Sequence, residues 1–256
     1  VVLSFASVIL AGTVLLMLPV STSAGVAPKL IDAAFTATSA VCVTGLTVVN
    51  TASFWSIFGK VVTLALIQVG GLGLMTFATL HALFTGRRIG LRERLVIQEQ
   101  TGQSRFAGLI VLMRRIIFAT LLFELTGAAI LGAVIGTTRR LPFMQAAFQG
   151  LFHAVSAFCN AGFDILGDSL VGYQSNATVI LTVSGLVIFG GIGFHVLADL
   201  YVNRGRWPGL SLHSRLAIRV TAALLIAGTL AVLALERGNP GTIGGMGLKG
   251  KLLSAW

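Results

Sequence analysis

A twelve-residue pattern occurs twice in the chain, as FTATSAVCVTGL from Phe35 to Leu46 and as FHAVSAFCNAGF from Phe152 to Phe163. Six positions are identical at a constant offset of 117: Phe35/Phe152, Ala37/Ala154, Ser39/Ser156, Ala40/Ala157, Cys42/Cys159 and Gly45/Gly162. A second shared string follows each copy, GGLGLMTFATL from Gly70 and GGIGFHVLADL from Gly190. Repetition on this scale means that one supersecondary unit is built more than once, and that the units pack on each other to bury what each leaves open. In each unit a short apolar helix runs into a segment ending at a glycine, and a long glycine-containing apolar helix then begins. This is the layout of a pore helix, a filter strand and an inner helix, and its simplest use is passage of an ion.

Composition sets the solvent. Hydrophobic residues make up 55% of the chain and charged residues only 10%, against about a quarter charged in soluble domains. Stretches without Asp, Glu, Lys or Arg run from Ala33 to Gly59, Val61 to Gly86, Leu141 to Phe163, Ser169 to Ala198 and Val220 to Leu235. Several exceed the roughly 20 residues that span a bilayer, and their length separates them from a signal peptide's apolar core. The chain therefore reads as a multi-pass protein of the lipid bilayer at the cell membrane. Its 31 glycines and five prolines suit close helix packing in such a bundle.

The net charge of +10 is concentrated. Seven of the eighteen basic residues lie between Gly86 and Arg115 and four more between Asn203 and Arg219. These two segments share a side of the membrane if each repeat crosses, re-enters part-way and crosses back, and the positive-inside rule makes that side cytoplasmic. Nucleic acid is not an expected partner, because no aromatic residues interleave with the basic ones to form a stacking platform.

The expected fold is an all-α integral membrane protein of repeated outer helix, pore helix, filter strand and inner helix units around a pore, in the manner of a potassium channel. Residues 1–84 form the first pore unit, with outer helix Val1–Val20, pore helix Lys29–Val41, a strand from Cys42 and inner helix Phe54–Phe84. Residues 85–115 are a cytoplasmic connector. Residues 116–202 form the second unit, with outer helix Ile116–Ile135, TTRR as an external loop, pore helix Met144–Phe158, filter CNAGFD and inner helix Asn176–Tyr201. A second connector covers 203–215, and 216–256 start a third unit, with an outer helix over Leu216–Leu235 and a pore helix opening at Leu252. Since the first residue is not Met and helical pattern is already running there, the reading expects a longer natural polypeptide with further units.

A dehydrated cation needs replacement oxygens, and backbone carbonyls supply them without a charge that would hold the ion too tightly. Such irregular backbone survives at membrane depth only where it is buried in protein or lines a cavity. The expected ion ligands are therefore the carbonyls of Val43, Thr44 and Gly45 in the first filter and of Asn160, Ala161 and Gly162 in the second. The alternative, that both glycines only pack helices, does not require the surrounding pattern to recur as a unit. Cys42 and Cys159 read as small buried residues behind a tight turn. A thiol enzyme built on Cys159 and His153 is rejected: the two face different sides of a helix, no orienting acid is evident, and the repeat pairs Cys159 with Cys42 but His153 with Thr36.

The strings TSAVCVTGL, LIQVGGLGLMTF, FHAVSAFCNAGF, FGGIGFHVL and NPGT, in the order in which they stand, resemble the Ktr/Trk/HKT superfamily of potassium transporters. The resemblance covers essentially the whole chain. It implies four such units around one pore, each filter contributing one key glycine, here Gly45 and Gly162. It also implies a homodimer seated on a cytosolic ring of nucleotide-binding regulatory subunits. Potassium is the implied transported ion, sodium dependence stays open, and no organic cofactor is expected. The resemblance associates glycine at the first filter position with potassium, and serine there, in plant relatives, with sodium; Gly45 favours potassium. The filters differ from the TVGYG strand of potassium channels in keeping one Gly and lacking the Tyr. An alternating-access secondary cation transporter is the competing class, since broken helices also build such sites.

Other polar residues have competing readings. Glu124, the only charge in its span, is a candidate for function at membrane depth, or for a structural role, bonding broken backbone near a filter or pairing with a further segment of the protein, and the structural role is favoured. His195 and Asp199 share a helix face but lack the further ligands of a zinc set, so an end-of-helix polar pair is preferred. Asp164 and Asp168 either gather cations outside the second filter or cap its turn. Asp32 is expected to N-cap the first pore helix, and Gly70 and Gly190 to serve packing.

Overall fold

The computed structural model describes residues 2–73 and 109–256. Its regular elements are helical; among the described residues the β-type pairing is a single isolated bridge, Thr22 to Trp55. The helices are α1 (Val2–Leu16), α2 (Leu30–Val41), α3 (Thr51–Phe54), α4 (Ile57–Gly71), α5 (Leu109–Arg139), α6 (Phe143–Phe158), α7 (Ala177–Gly191), α8 (Phe194–Val202), α9 (Leu212–Glu236) and α10 (Leu248–Ala255). Ile116–Arg139 within α5 and the 25 residues of α9 are long and apolar enough to cross a membrane. At 1.5 Å per residue α9 spans about 37 Å, more than a hydrocarbon core of about 30 Å. An all-helical chain of this kind fits a membrane protein, because a helix satisfies its backbone internally where no water can.

The chain divides into two compact units, Val1–Gly167 and Asp168–Trp256. In the first, α2 carries Ala33, Ala37 and Ala40 at helical spacing, all fully buried. With no bulk beyond Cβ on that face, α1 and α4 close on it, and Leu16, Val41, Leu66 and Ile67 complete the core with Phe152 and Val155 of α6. The turn after α1 is fastened to the start of α4: Ser56 N–H donates to Ser21 O at 2.9 Å, Ser56 Oγ–H to Val20 O at 2.6 Å, and Trp55 lies fully buried beside them. Small residues also set the α5–α6 contact. A Cβ on Gly150 would lie 2.5 Å from Gly132 N, and one on Gly136 would lie 2.7 Å from Ala146 Cβ, the close approach that glycine faces permit between membrane helices.

In the second unit Asp199 closes the turn between α8 and α9. Its carboxylate accepts from Asn203 Nδ2 at 2.7 Å, Ser211 N at 2.9 Å and Ser211 Oγ at 2.8 Å. Ser211 in turn caps α9 through Ser214 N. The helix expected to open a third unit therefore starts at Leu212, inside the segment expected as connector. Glu236 fastens the following loop by accepting from Asn239 Nδ2 and Thr242 Oγ1.

Several expectations are corrected. The segments after α2 and α6 are irregular turns, not strands. Helix α5 runs from Leu109 to Arg139, absorbing the end of the expected first connector and most of TTRR, and its chain reverses at Arg140, φ 53°. The helix expected from Phe54 begins at Ile57, because Trp55 is extended and Ser56 supplies the cap, accepting from Gly59 N. The helix expected over Asn176–Tyr201 is not continuous. It ends at Gly191, Gly193 takes φ 93°, and α8 leaves at 95° to α7. The same string ends α4 at Gly71, with Gly73 at φ 76°; only glycine takes such a conformation without steric cost, so GGxG is a helix stop in both units. Residues 74–84 and the greater part of the 85–115 connector, with Arg87, Arg88, Arg92, Arg94 and Arg105, lie outside the described residues.

The α5–α6 contact gives a first prediction. Gly150→Val should place a branched side chain against the backbone of Gly132 and cost about 1–3 kcal/mol. The expected outcome is a lower thermal midpoint of the detergent-solubilised full-length protein, while Gly245→Val, at a glycine with open space around it, leaves the midpoint within error.

Candidate functional site

Helices α2 and α6 end in the same hydrogen-bonded turn. In the first, Cys42 is the cap, Val43 N–H donates to Ala40 O at 3.3 Å and Thr44 N–H to Ser39 O at 2.9 Å. In the second, Cys159 is the cap, Asn160 N–H donates to Ala157 O at 3.0 Å and Ala161 N–H to Ser156 O at 2.7 Å. These are paired 5→2 and 6→1 bonds of the Schellman type, which require a left-handed residue just after the cap. Val43 (φ 56°) and Asn160 (φ 57°) occupy that place. Asparagine tolerates the conformation, but a β-branched valine there is a true outlier, at a cost on the order of 1–2 kcal/mol. Such strain persists only where its surroundings over-determine it, and it gathers at functional sites.

Two residues further on, Gly45 and Gly162 are left-handed as well, at φ 73° and 70°. The two glycines meet. A Cβ added to Gly45 would lie 2.6 Å from the Ala161 carbonyl oxygen and 3.2 Å from Gly162 Cα, and one added to Gly162 would lie 3.4 Å from Gly45 Cα. Thus the structure brings Gly45 beside Ala161 and Gly162, with no room for a side chain at Gly45. Among the described residues no donor reaches the carbonyl oxygens of Val43, Thr44, Gly45, Ala161 or Gly162. Carbonyl oxygens with no internal partner are left to accept from water or to bind a cation.

The repeated serines explain how each segment is held. Thr44 Oγ1–H donates to Ser39 Oγ at 2.9 Å, and Ser156 Oγ–H donates to Phe163 O at 2.8 Å. Both serines are buried. Their identity in the repeat carried no role in the sequence; their recurrence three residues before each cap was the signal. On the far side Asn50 Nδ2 donates to Gly167 O at 3.4 Å, joining the two following loops. Asp164 is a turn cap, accepting from Leu166 N and Gly167 N at 2.9 and 2.8 Å. It also stands 2.9 Å from His153 Nε2, while His153 Nδ1 is 2.7 Å from Gln149 O. His153 does have an adjacent acid, contrary to expectation, but the pair fastens α6 to the loop after Gly162. Asp168, at the edge of the second unit, is exposed.

Beneath the two turns runs α4. A Cβ on Gly70 would collide with the Val41 carbonyl and touch Val43 Cγ2, and one on Gly71 would collide with Cys159 Sγ and Cβ. Neighbouring glycines of one helix thus press on the base of both turns, a role beyond the general packing expected of Gly70. Gln68, two residues earlier, donates to the Glu124 carboxyl; neither Gln68 nor Gly71 stood out in the sequence. Two smaller expectations fail. Cys42 is exposed, and only Cys159 is partly enclosed. Asp32 does not cap α2, since Lys29 holds the cap position and Asp32 lies in the first turn, where its charge favours the helix dipole. His195 and Asp199 both lie on α8, and the Asp199 oxygens serve the turn bonds already described.

The family model for TrkH, described as cation transport protein, matches residues 1–236. The chain is 42% identical over 254 residues to Ktr system potassium uptake protein B of Bacillus subtilis (strain 168), covering 99% of this chain and 56% of that protein. It is 41% identical over 233 residues to potassium/sodium uptake protein NtpJ of Enterococcus hirae, covering 91% and 51%. To Ktr system potassium uptake protein B of Vibrio alginolyticus it is 38% identical over 260 residues, covering 100% and 56%. The chain spans about half the length of the curated relatives it matches. These relatives are named as uptake proteins and not as enzymes. The chain belongs to the TrkH family of cation transport proteins.

Proposed function

We propose that this chain contributes to potassium uptake across the cell membrane through a pore whose filter is made of backbone carbonyls. The observation that carries the reading is the meeting of Gly45 and Gly162, each two residues beyond a left-handed helix end, with unpaired carbonyl oxygens beside them. A conducting filter has to replace the hydration shell without a fixed charge, and these carbonyls are a suitable source. The C-terminal ends of α2 and α6 add the negative end of the helix dipole behind them. In this reading residues 1–84 and 116–202 are pore units, 85–115 and 203–215 are cytoplasmic connectors, and 216–256 begin a third unit of a multi-pass protein with four filters.

Potassium is the proposed ion because Ktr relatives are named for its uptake; the sodium in the name of NtpJ makes sodium a second ion to test. "Ktr system" in those names supports a membrane subunit that works with other components. The proposed partners are a second copy of the chain and a cytosolic nucleotide-binding regulatory ring that gates the pore. The 95° break at Gly193 is the one feature that favours alternating access instead. Single-channel current would support the pore, and uptake saturating at carrier-like turnover without such current would support the carrier.

The filter test uses the full-length protein in a strain that lacks other potassium uptake. Gly45→Ser and Gly162→Ser should each lower discrimination of potassium over sodium by about tenfold or more, while Gly245→Ser, the same change in open space, leaves it unchanged. A tenfold loss corresponds to about 1.4 kcal/mol of differential binding. Retention of wild-type discrimination in both filter variants would remove these segments from the ion path. Gly70→Ser, which drives a side chain toward the Val41 carbonyl, should also lower discrimination at normal membrane abundance. Loss of abundance alone, with discrimination intact in the protein that remains, would confine Gly70 to packing.

A further inference from the structure

Glu124 sits in the middle of α5, is 3% exposed, and has no basic partner among the described residues. Its carboxyl accepts from Gln68 Nε2, at 3.0 Å to Oε1 and 3.3 Å to Oε2. The Cys159 thiol, a weak donor, points to the same Oε1 at 4.0 Å. The residue before Glu124 stacks on the residue before Cys159: the Phe123 and Phe158 rings are 5.9 Å apart and 18° from parallel. Two consecutive residues of α5 are therefore matched to the last residue of α6 and its cap. Gln68 joins this contact to α4, three residues before Gly71 meets Cys159.

The cluster is not part of the repeated framework. A shift of 117 takes Glu124 to Ser7, which is exposed and donates to Leu3 O. A shift of 120, the spacing of the GGxG strings, takes Gln68 to Ile188. The other helix cap, Cys42, is exposed. Both turns form with the same hydrogen bonds, so the acid is not needed to make a turn of this kind. It acts on one turn only.

We propose that Glu124 is a positioning residue for the second filter: its carboxyl holds Gln68 of α4 and the Cys159 cap of α6 together, and so fixes where Asn160, Ala161 and Gly162 stand. This inference rests on the filter reading above. The Gln68 amide donates to a carboxyl that is itself buried, and leaving such a donor unmade costs more than the bond itself contributes. Without the carboxyl the amide would seek another acceptor, α4 would lose its register on Cys159, and the Gly71 contact would open. Because Cys159 is covalently next to Asn160, the displacement passes directly into the carbonyls of the second segment.

The test measures potassium uptake across a range of sodium concentrations in full-length protein, normalised to the amount in the membrane. Glu124→Ala and Gln68→Ala should each reduce potassium-over-sodium discrimination by about tenfold, the effect of one hydrogen bond to a carboxyl, and the double variant should be no worse than either single one. Glu124→Gln should stay within about twofold of wild type, because its amide oxygen still accepts from Gln68. Wild-type discrimination in Glu124→Ala or Gln68→Ala, or a Glu124→Gln variant as impaired as Glu124→Ala, would overturn the proposal. If Glu124→Ala does not reach the membrane, Gln68→Ala decides. Gly162→Ser is measured alongside: its failure to change discrimination would count against the filter reading itself, whereas an effect of Gly162→Ser with none from Glu124→Ala or Gln68→Ala would remove only the positioning role.

Discussion

The first compact unit turns on a contact between two stretches of backbone. Gly45 and Gly162 can meet because Gly45 has no Cβ, because both take a left-handed φ, and because each helix before them ends in a left-handed turn that carries the chain back toward its neighbour. The small faces of α2 and α6, the buried serines and the glycines of α4 bring those two ends together. Apolar burial supplies cohesion to the bundle, but it does not by itself place carbonyl oxygens. Their placement comes from the paired 5→2 and 6→1 bonds at each helix end, which leave the following oxygens without internal partners.

The repeat extends from sequence to backbone conformation. Val43 and Asn160 differ in chemistry, yet both stand at the same positive φ, with the same bonds from the residues around them. A valine held there costs free energy that an asparagine would not, so the turn geometry outweighs the local preference of the residue. A site whose function depends on backbone position is expected to hold such strain, because rigid surroundings fix both at once. The two copies are not fully equivalent, however. The second turn has Glu124, Gln68 and the His153–Asp164 pair around it, and the first has none of these at the matching positions.

Much of this was legible in the chain. The repeated strings located the helices Leu30–Val41 and Phe143–Phe158 to within a residue or two, because a glycine-ended apolar pattern that recurs with its context is a strong signal. They also singled out Gly45 and Gly162. Three features were not legible, each for a physical reason. The break at Gly193 was hidden because an apolar run reads the same whether its helix continues or stops, and only φ tells which glycine is a cap. The extension of α5 through Thr137 to Arg139 was missed because polar residues at a helix end look like a loop. Gln68 was overlooked because its partner, Glu124, lies 56 residues away, and a single polar residue on an apolar helix carries no periodic signal.

The central claim is that carbonyls from residues 43–45 and 160–162 together bind the transported ion. The most direct measurement is anomalous diffraction from crystals of the full-length protein grown with rubidium in place of potassium. The account predicts an anomalous peak within coordination distance of carbonyl oxygens from both segments, beside Gly45 and Gly162. Rubidium bound elsewhere along the pore, with no peak at these carbonyls, would contradict it.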